Sequence, residues 1–271
     1  MVAILRQTAG QVIHPRMLRL HPLPAFQDNY IWTLSAPDGR ALIVDPGDAA
    51  PVLAATEQGL RPVAILLTHH HPDHAGGVGE LRRRFDIPCF APHDERITDA
   101  SDRVGEGDRV EIAALGLTFD VIALPGHTLS HIAFYGHGYL FCGDTLFSLG
   151  CGRMFEGTAK QMLTSLDRLA ALADDMLVCC GHEYTLSNGR FSQVAEPDNP
   201  ARDRRLAEAA QLRADGLPSV PSTMASECAC NPFLRVDQPG IQQTLRAQGL
   251  STSDREQSFA ALRGWKDGFR A

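Results

Sequence analysis

The sequence predicts an α/β protein with a strand-rich N-terminal part and a helical C-terminal part. Short apolar runs bounded by turn residues recur between Met17 and Cys180, and helical spacing replaces them beyond about Asn188. Polar metal-ligand residue types also gather directly after the apolar runs, where strand-end loops present functional groups. With 271 residues and 44% hydrophobic content, the chain can build one large domain and a smaller appendage.

Residues 1–16 read as a short frayed extension. Arg6, Arg16 and Arg19 precede the first acidic residue, Asp28, which faintly resembles an organelle-targeting segment. Met17 to Leu20, Tyr30 to Leu34 and Ala41 to Val44 read as strands, the last two joined by the turn signal Pro37-Asp38-Gly39. A helix over Val52 to Gly59 precedes Pro62 to Leu67, an unalternating run typical of a strand buried on both faces. A helix over Gly77 to Phe85 leads to a short strand at Ile87 to Phe90. Further strands are expected at Arg109 to Ile112, Leu117 to Leu124, Ile132 to Tyr135 and Tyr139 to Cys142, with Gly136-His137-Gly138 as a turn. Thr158 suits the cap of a helix reaching Leu172, because Met162, Leu163, Leu166, Leu169 and Ala170 share one face. Met176 to Cys180 is the last expected strand. Helices follow near 199–214, 238–248 and 253–264, so the domains are expected at 17–188 and 189–271.

No apolar stretch approaches the roughly 20 residues that span a bilayer, so no membrane partner is expected. The net charge of −7 argues against nucleic acid, whose non-specific binding needs clustered Lys and Arg. Among the seven cysteines, Cys142, Cys179 and Cys180 lie in strand-like runs, as suits small buried hydrophobes in a reducing compartment. Cys228-Ala-Cys230 lacks the spacer of a zinc knuckle or redox pair. A cytoplasmic monomer is the expectation.

The chemistry lies in four short groups: Thr68-His69-His70-His71-Pro72-Asp73-His74, Gly126-His127-Thr128, Gly143-Asp144-Thr145 and Gly181-His182-Glu183. A lone histidine such as His14, His21, His93 or His137 reads as an ordinary structural residue. The cluster differs. His69 and His71, two apart on an extended loop, point the same way while His70 faces away, and Pro72 is expected to block helix continuation. Three imidazoles and a carboxylate crowded together without a cation would leave polar groups competing for few partners. The complete set of five histidines and two aspartates exceeds the four ligands one zinc takes, so two metals are the natural count. Imidazole and carboxylate without thiolate favour Zn, with Fe or Mn as alternatives. Two such ions would share a hydroxide acidified towards pH 7 and polarise a substrate carbonyl.

The order THHHPDH, GHT, GDT and GHEYT resembles the metallo-β-lactamase superfamily. GCGRMFEGT, GHEYT and NPFLR are similar to the glyoxalase II (hydroxyacylglutathione hydrolase) family, over about Leu18 to Lys266. The resemblance implies a four-layer αββα sandwich of two mixed sheets with a helical C-terminal domain over the substrate site. It implies one metal at His69, His71 and His127, a second at Asp73, His74 and His182, and Asp144 as the bridge. Asp73 and Asp144 would thus act as ligands that position the nucleophile.

The implied activity is hydrolysis of S-D-lactoylglutathione and related S-2-hydroxyacylglutathiones, the second step of methylglyoxal detoxification. The implied substrate contacts are Arg153, Tyr184, Arg263 and Lys266, with Asn188 as a further candidate. Arg263 and Lys266, three apart on a helix, can face one carboxylate. Arg153 stands where some relatives carry lysine, and Phe155 where others carry tyrosine. His131 and Asp45 are candidates to hold ligating imidazoles from behind, and Gly76 and Gly77 are expected to supply backbone freedom. The competing readings are a lactonase, a β-lactamase, an iron-dependent persulfide dioxygenase or a metal-stapled scaffold. Metal content, oxygen uptake and thioester loss separate them.

Overall fold

The computed structural model describes residues 18–270, so the expected extension over 1–16 lies outside the described residues. β1 (Arg19–Ala25), β2 (Asn29–Ser35), β3 (Arg40–Val44), β4 (Arg61–Leu66), β5 (Cys89–Pro92) and β6 (Asp102–Val104) form a six-stranded sheet in chain order. The first three are antiparallel; β3 to β6 are parallel. Parallel neighbours require crossovers. α1 (Ala49–Glu57) supplies the one before β4, and α2 (Pro72–Ala75) with α3 (Val78–Phe85) the one before β5. Asp48 caps α1 by accepting from the Ala50 N–H.

The chain continues through β7 (Arg109–Ile112), β8 (Leu117–Ala123), β9 (Ile132–Gly136) and β10 (Tyr139–Gly143), makes a small hairpin of β11 (Leu146–Phe147) and β12 (Gly150–Cys151), and enters α4 (Ala159–Ala170). It returns as β13 (Leu177–Cys180), parallel to β10. After α5 (Thr185–Ala195) and α6 (Pro200–Ala214), β14 (Ser222–Thr223) closes the edge of a second six-stranded sheet, ordered β14-β13-β10-β9-β8-β7. α7 (Met224–Cys230), α8 (Pro239–Ala247) and α9 (Arg255–Gly268) complete the described chain.

Side-chain alternation makes this a layered sandwich. Trp32, Leu34, Leu42 and Leu66 from the first sheet share one core with Phe119, Phe134, Leu140 and Val178 from the second. The opposite face of the first sheet, Ile31, Ile43, Ile65 and Leu67, packs on Val52 of α1 and Val78 and Leu81 of α3. The expected stripe on α4 is buried at Met162, Leu163, Leu166 and Leu169, and Thr158 with Gln161 forms a reciprocal capping box.

Several expectations change. β1 runs to Ala25 because an edge strand tolerates Pro22 and Pro24, which donate nothing to a ladder. Pro72 does not block a helix; it occupies the first position of α2, where its missing N–H costs nothing, so Asp73 and His74 sit on a helical turn. Residue 188, the expected boundary, falls inside α5. Gly189 would argue against that helix, yet a Cβ there would lie 2.3 Å from Leu206 Cδ1, so the glycine permits close packing of α5 on α6. Strand structure does not end at 188 either, because β14 joins the β13 edge at Leu177 and Val178.

The hairpin of β11 and β12 is held from the helical region. Asn231 donates through Nδ2 to the Phe147 carbonyl at 2.9 Å and the Gly150 carbonyl at 2.9 Å. Glu227 accepts from the Leu149 N–H at 2.9 Å, and Asn188 donates to the Ser148 carbonyl at 3.2 Å. These groups are buried, so each lost partner strands a polar atom at about 1–3 kcal/mol. Asn231→Ala is therefore expected to lower the unfolding free energy by about 2–4 kcal/mol in chemical denaturation. A change below about 0.5 kcal/mol would contradict this account of the hairpin.

Candidate metal centre

The site forms where strand ends from both sheets converge. β10 and β13 are parallel with Gly143 opposite Cys180, so Asp144 and His182 leave the sheet at the same end. The Gly181 N–H donates to the Gly143 carbonyl at 3.0 Å, and Tyr30 N–H to the Gly181 carbonyl at 2.8 Å. The loop after β4 is tied across by the Ile132 N–H, which donates to the Thr68 carbonyl at 3.0 Å. Glycine is required at Gly143, which has φ of +48° and would place a Cβ 2.3 Å from Thr68 Oγ1. At Gly181 a Cβ would lie 2.6 Å from Asp144 Oδ1 and 2.6 Å from His74 Cε1. Gly76 and Gly77 adopt ordinary negative φ; what they allow is close approach, since a Cβ on either would lie 2.6 Å from the carbonyl oxygen of Gly47 or Pro46 respectively.

Six of the seven expected ligands meet here in two triads, His69 with His71 and His127, and Asp73 with His74 and His182, while Asp45 groups with His69 and His74 behind them. In the first, His69 Nε2 lies 3.1 Å and His127 Nε2 3.0 Å from His71 Nδ1. In the second, His74 Nε2 lies 3.3 Å from His182 Nε2, while Asp73 Oδ2 is 3.6 Å and 3.5 Å from those two nitrogens. Asp144 stands between the triads: its Oδ2 is 3.2 Å from His182 Nε2 and 3.5 Å from His127 Nε2, and its Oδ1 is 3.4 Å from His74 Nε2.

Hydrogen bonds behind the rings assign the tautomers. His127 Nδ1 donates to the Arg153 carbonyl at 2.7 Å, His182 Nδ1 to Asp28 at 2.9 Å and His74 Nδ1 to Asp45 at 3.1 Å. Thr68 Oγ1 donates to Asp45 at 2.7 Å and so accepts from His69 Nδ1 at 3.0 Å. The four Nε2 atoms thereby face into the triads, as bare lone pairs on His69 and His127, and on His74 and His182 as the position of the second proton that Asp144 favours. Asp144 Oδ1 is buried with no hydrogen-bond partner. Bare nitrogens about 3 Å apart repel unless a cation lies between them. A tetrahedral ion with metal–nitrogen bonds of ~2.0–2.1 Å needs donors roughly 3.3 Å apart, so the residues fit divalent metals.

Protonation follows the same division. Burial, reinforced by the neighbouring imidazoles, holds His69 well below the histidine range, and burial with His127 brings His71 to about 4. Burial also pushes His74 and His182 down, but Asp144 outweighs it at both, with Asp45 helping at His74, and they end above the usual value. Asp45 adopts a left-handed backbone with φ of 51° to accept from Thr68 and His74 together. His131 stacks on His69 at 4.7 Å, and its Nε2 accepts from the Asp144 N–H at 3.2 Å. His70 turns aside, its Nδ1 3.5 Å from Asp94.

A cavity of about 630 Å³ opens over the triads, lined by Arg153, Phe155, Tyr184, Asn188, Arg263 and Lys266 among others. That is ample for a small ligand. Tyr184 stacks on His182 at 4.6 Å with rings nearly parallel, and burial with nearby Asp28 pushes its phenol far above the usual range. Phe155 is 62% exposed and sets its edge on His71 at 5.7 Å and His127 at 5.3 Å.

Arg263 lines this cavity but is held more firmly than its spacing showed. Only 5% exposed, it donates to the Cys151 carbonyl at 2.8 Å and to Asp267 at 3.0 Å, while its Nε is buried without a hydrogen-bond partner. The spacing could not show that Cys151 would reach it from the β11–β12 hairpin. Also unforeseen were Asp28 behind His182 and Asn29, which donates to Asp73 Oδ2 at 3.0 Å. Asp28 ends the turn before β2 and Asn29 opens that strand, a stretch that carried no ligand signal. Cys228 and Cys230 belong to no ligand group among the described residues.

The chain matches the model of the metallo-β-lactamase superfamily over residues 29–182 and that of the hydroxyacylglutathione hydrolase C-terminus over 183–269. It is 56% identical over 257 residues to a hydroxyacylglutathione hydrolase of Xanthomonas axonopodis pv. citri (strain 306), covering 94% of this chain and 100% of that one. A hydroxyacylglutathione hydrolase of Xylella fastidiosa (strain M12) is 56% identical over 254 residues, covering 93% and 98%. Among solved structures, the B3 metallo-β-lactamase BLEG-1 is similar at a TM-score of 0.59 and 26% identity, covering 80% of this chain and 99% of that one. The di-iron-bound form of TTHA1623 is similar at 0.56 and 27%, covering 80% and 100%.

Two outcomes follow from this geometry. Gly181→Ala should displace Asp144 and His74 and reduce bound metal by at least one equivalent in elemental analysis; unchanged stoichiometry would refute the close packing. Metal loading near pH 7 should release protons, because a cation replaces those that Asp144 retains on His74 and His182. Apparent affinity then rises with pH and falls on acidification. Calorimetry in buffers of different ionisation enthalpy reads the release, and equal heats would count against it.

Proposed function

The chain belongs to the hydroxyacylglutathione hydrolase family of the metallo-β-lactamase superfamily, and on that premise we propose that it hydrolyses S-2-hydroxyacylglutathiones, S-D-lactoylglutathione foremost, to a 2-hydroxy acid and glutathione. The observation that carries the reading is the pair of donor triads joined by Asp144 at the floor of a cavity whose walls bear cations. His69, His71 and His127 would hold one divalent ion, Asp73, His74 and His182 the other, and Asp144 both. Zinc suits the nitrogen and oxygen donors, with iron or manganese as the alternatives.

When bound, such ions supply Lewis acidity at a carbonyl and a water acidified to near neutral pH. The protein's own groups prepare for this. Asp28, Asp45, Thr68 and the Arg153 carbonyl each hold one imidazole Nδ1–H, fixing ring orientation and leaving the opposite nitrogen basic. Burial alone would raise the Asp73 carboxyl, but His74 and the Asn29 amide outweigh it, so Asp73 stays ionised and serves as a ligand, not a proton donor. Expulsion of a thiol, with a pKa near 8.5, needs little general-acid help. Tyr184 keeps its proton and can donate to a substrate oxygen.

Arg153, Tyr184, Arg263 and Lys266 form the substrate wall in this reading, which gives residues 17–188 the chemistry and 189–271 the cover. No helix among the described residues is long and apolar enough to cross a membrane. The cysteines among them are free and, apart from Cys228, buried, which suits a reducing cytoplasm.

Metal-loaded protein should cleave S-D-lactoylglutathione, followed by loss of thioester absorbance, and a chelator should abolish the reaction. His182→Ala should lower kcat by roughly 100-fold or more, at least matching the effect of losing an outer partner of a ligand. A catalytic constant equal to wild type would remove the second triad from the reaction.

A further inference from the structure

The two triads are held from behind in different ways. Asp28 and Asp45 back His182 and His74 of the second triad directly, carboxylate to imidazole. In the first triad His127 leans on a backbone carbonyl, that of Arg153, and the ring of His71 is set by contacts alone, with Phe155 edge-on at 5.7 Å and His70 at 4.8 Å. Where those two rings sit therefore depends on the loop from Arg153 to Gly157. Its backbone is pinned to the His127 loop, the Phe155 N–H donating to the His127 carbonyl at 3.2 Å and the Gly157 N–H to the Gly126 carbonyl at 3.0 Å. Glu156 completes the pin from outside: its Oε2 accepts from the Leu129 N–H at 2.7 Å, and Arg96 donates to both of its carboxylate oxygens. The same guanidinium grips Asp94 with two bonds of 2.8 and 2.7 Å, and Ser130 donates to that carboxylate as well. His70, the middle histidine of the THHHPDH group, closes the cluster, with Nδ1 3.5 Å from Asp94 and Nε2 3.7 Å from Glu156. Its Nδ1 is buried without a hydrogen bond, so the ring is wedged against the carboxylates and not bonded to them.

Loops remote in sequence thus meet at Arg96: the segment after β5, the ligand loop of His69 and His71, the His127 loop and the loop before α4. An isolated exposed ion pair contributes little, but a bidentate guanidinium joining two carboxylates is the arrangement that does hold loops in place. Arg96, with Ser130 helping at Asp94 and the Leu129 N–H at Glu156, keeps both carboxyls below the usual carboxylate range, so the cluster stays ionised. We propose that Arg96, joined to Asp94 and Glu156, is a positioning residue for the first triad: it fixes the loop whose Arg153 carbonyl and Phe155 ring hold His127 and His71. This rests on the reading of the triads as the divalent-metal sites of a thioester hydrolase.

The test reads zinc affinity triad by triad, independent of turnover. Zinc is titrated into metal-free protein against a chromophoric chelator in two backgrounds: His182→Ala, which leaves the first triad whole, and His127→Ala, which leaves the second. In the His182→Ala background Arg96→Ala should weaken zinc binding about 3- to 10-fold, less than the roughly 10- to 100-fold expected for losing a direct partner of a ligand, and Arg96→Lys should recover part of it. In the His127→Ala background the same substitution should leave the dissociation constant unchanged. Cobalt bound to the His182→Ala protein should show a shifted visible band when Arg96→Ala is added, because the imidazoles reorient. The single variant Arg96→Ala supplies a check with no ligand deleted: one zinc equivalent should weaken while the other holds. Equal affinities with and without Arg96 at the first triad would overturn the proposal, as would equal losses in both backgrounds or no zinc uptake by wild type. Zinc binding that depends on Arg96 without thioester hydrolysis would sink the hydrolase reading and leave Arg96 assigned; hydrolysis with an indifferent Arg96 would do the reverse.

Discussion

Everything at this centre depends on imidazole nitrogens pressed to within about 3 Å of one another. Four of the five rings have one proton drawn to the far side by an oxygen of Asp28, Asp45, Thr68 or the Arg153 backbone, so the near nitrogen of each is left to hold either a metal or a second proton. Such an arrangement is repulsive by itself and becomes favourable around divalent cations. The partially satisfied state, with Asp144 Oδ1 lacking a partner and two imidazoles retaining protons, is what the same residues must adopt without them. Metal affinity and proton affinity are therefore competing uses of one set of atoms.

Holding donors at that spacing requires backbone that cannot yield, and the fold provides it at places remote in sequence. The parallel register of β10 and β13 fixes Asp144 beside His182, while glycines at 143 and 181 let the loops approach where a methyl group would collide. The next segment, the β11–β12 hairpin, is too short to support itself. Asn188, Glu227, Asn231 and Arg263 hold its backbone from the helical region. The C-terminal helices thus contribute to the rigidity of the ligand-bearing loops as well as to the cavity wall, which accounts for a tight bond between two regions with different sequence character.

The electrostatic layout divides by depth. Carboxylates sit at the floor beside the imidazoles, where they would balance a divalent cation, and cations sit at the mouth, the sign that suits an anionic ligand. On a chain of net charge −7 this is a local inversion of sign, and a low-dielectric cleft concentrates its field. Hydrolysis of a glutathione thioester needs both layers: one acts on the acyl carbon, the other orients the peptide.

The ligand chemistry was legible in the sequence because residue type and order suffice for it. Five histidines and two aspartates, most of them placed after strand-like runs, point to a divalent-metal site before any fold is drawn, and the runs themselves gave most of the strands because their apolar periodicity is local. What local pattern could not carry was decided by tertiary structure. Pro72 began a helical turn because the chain turned there; β11, β12 and β14 were too short to show a period and took their pairing from neighbours; Gly189 lay inside α5 because Leu206 packed against it. Asp28 and Asn29 became partners of His182 and Asp73 only through the β2–β13 juxtaposition, and Arg263 was held firmly only because Cys151 met it. The sequence by itself determined which atoms could bind metal, since that is a property of side-chain chemistry. Which protons they carry, and what holds each ring in place, was settled only by the fold, because both depend on neighbours distant along the chain.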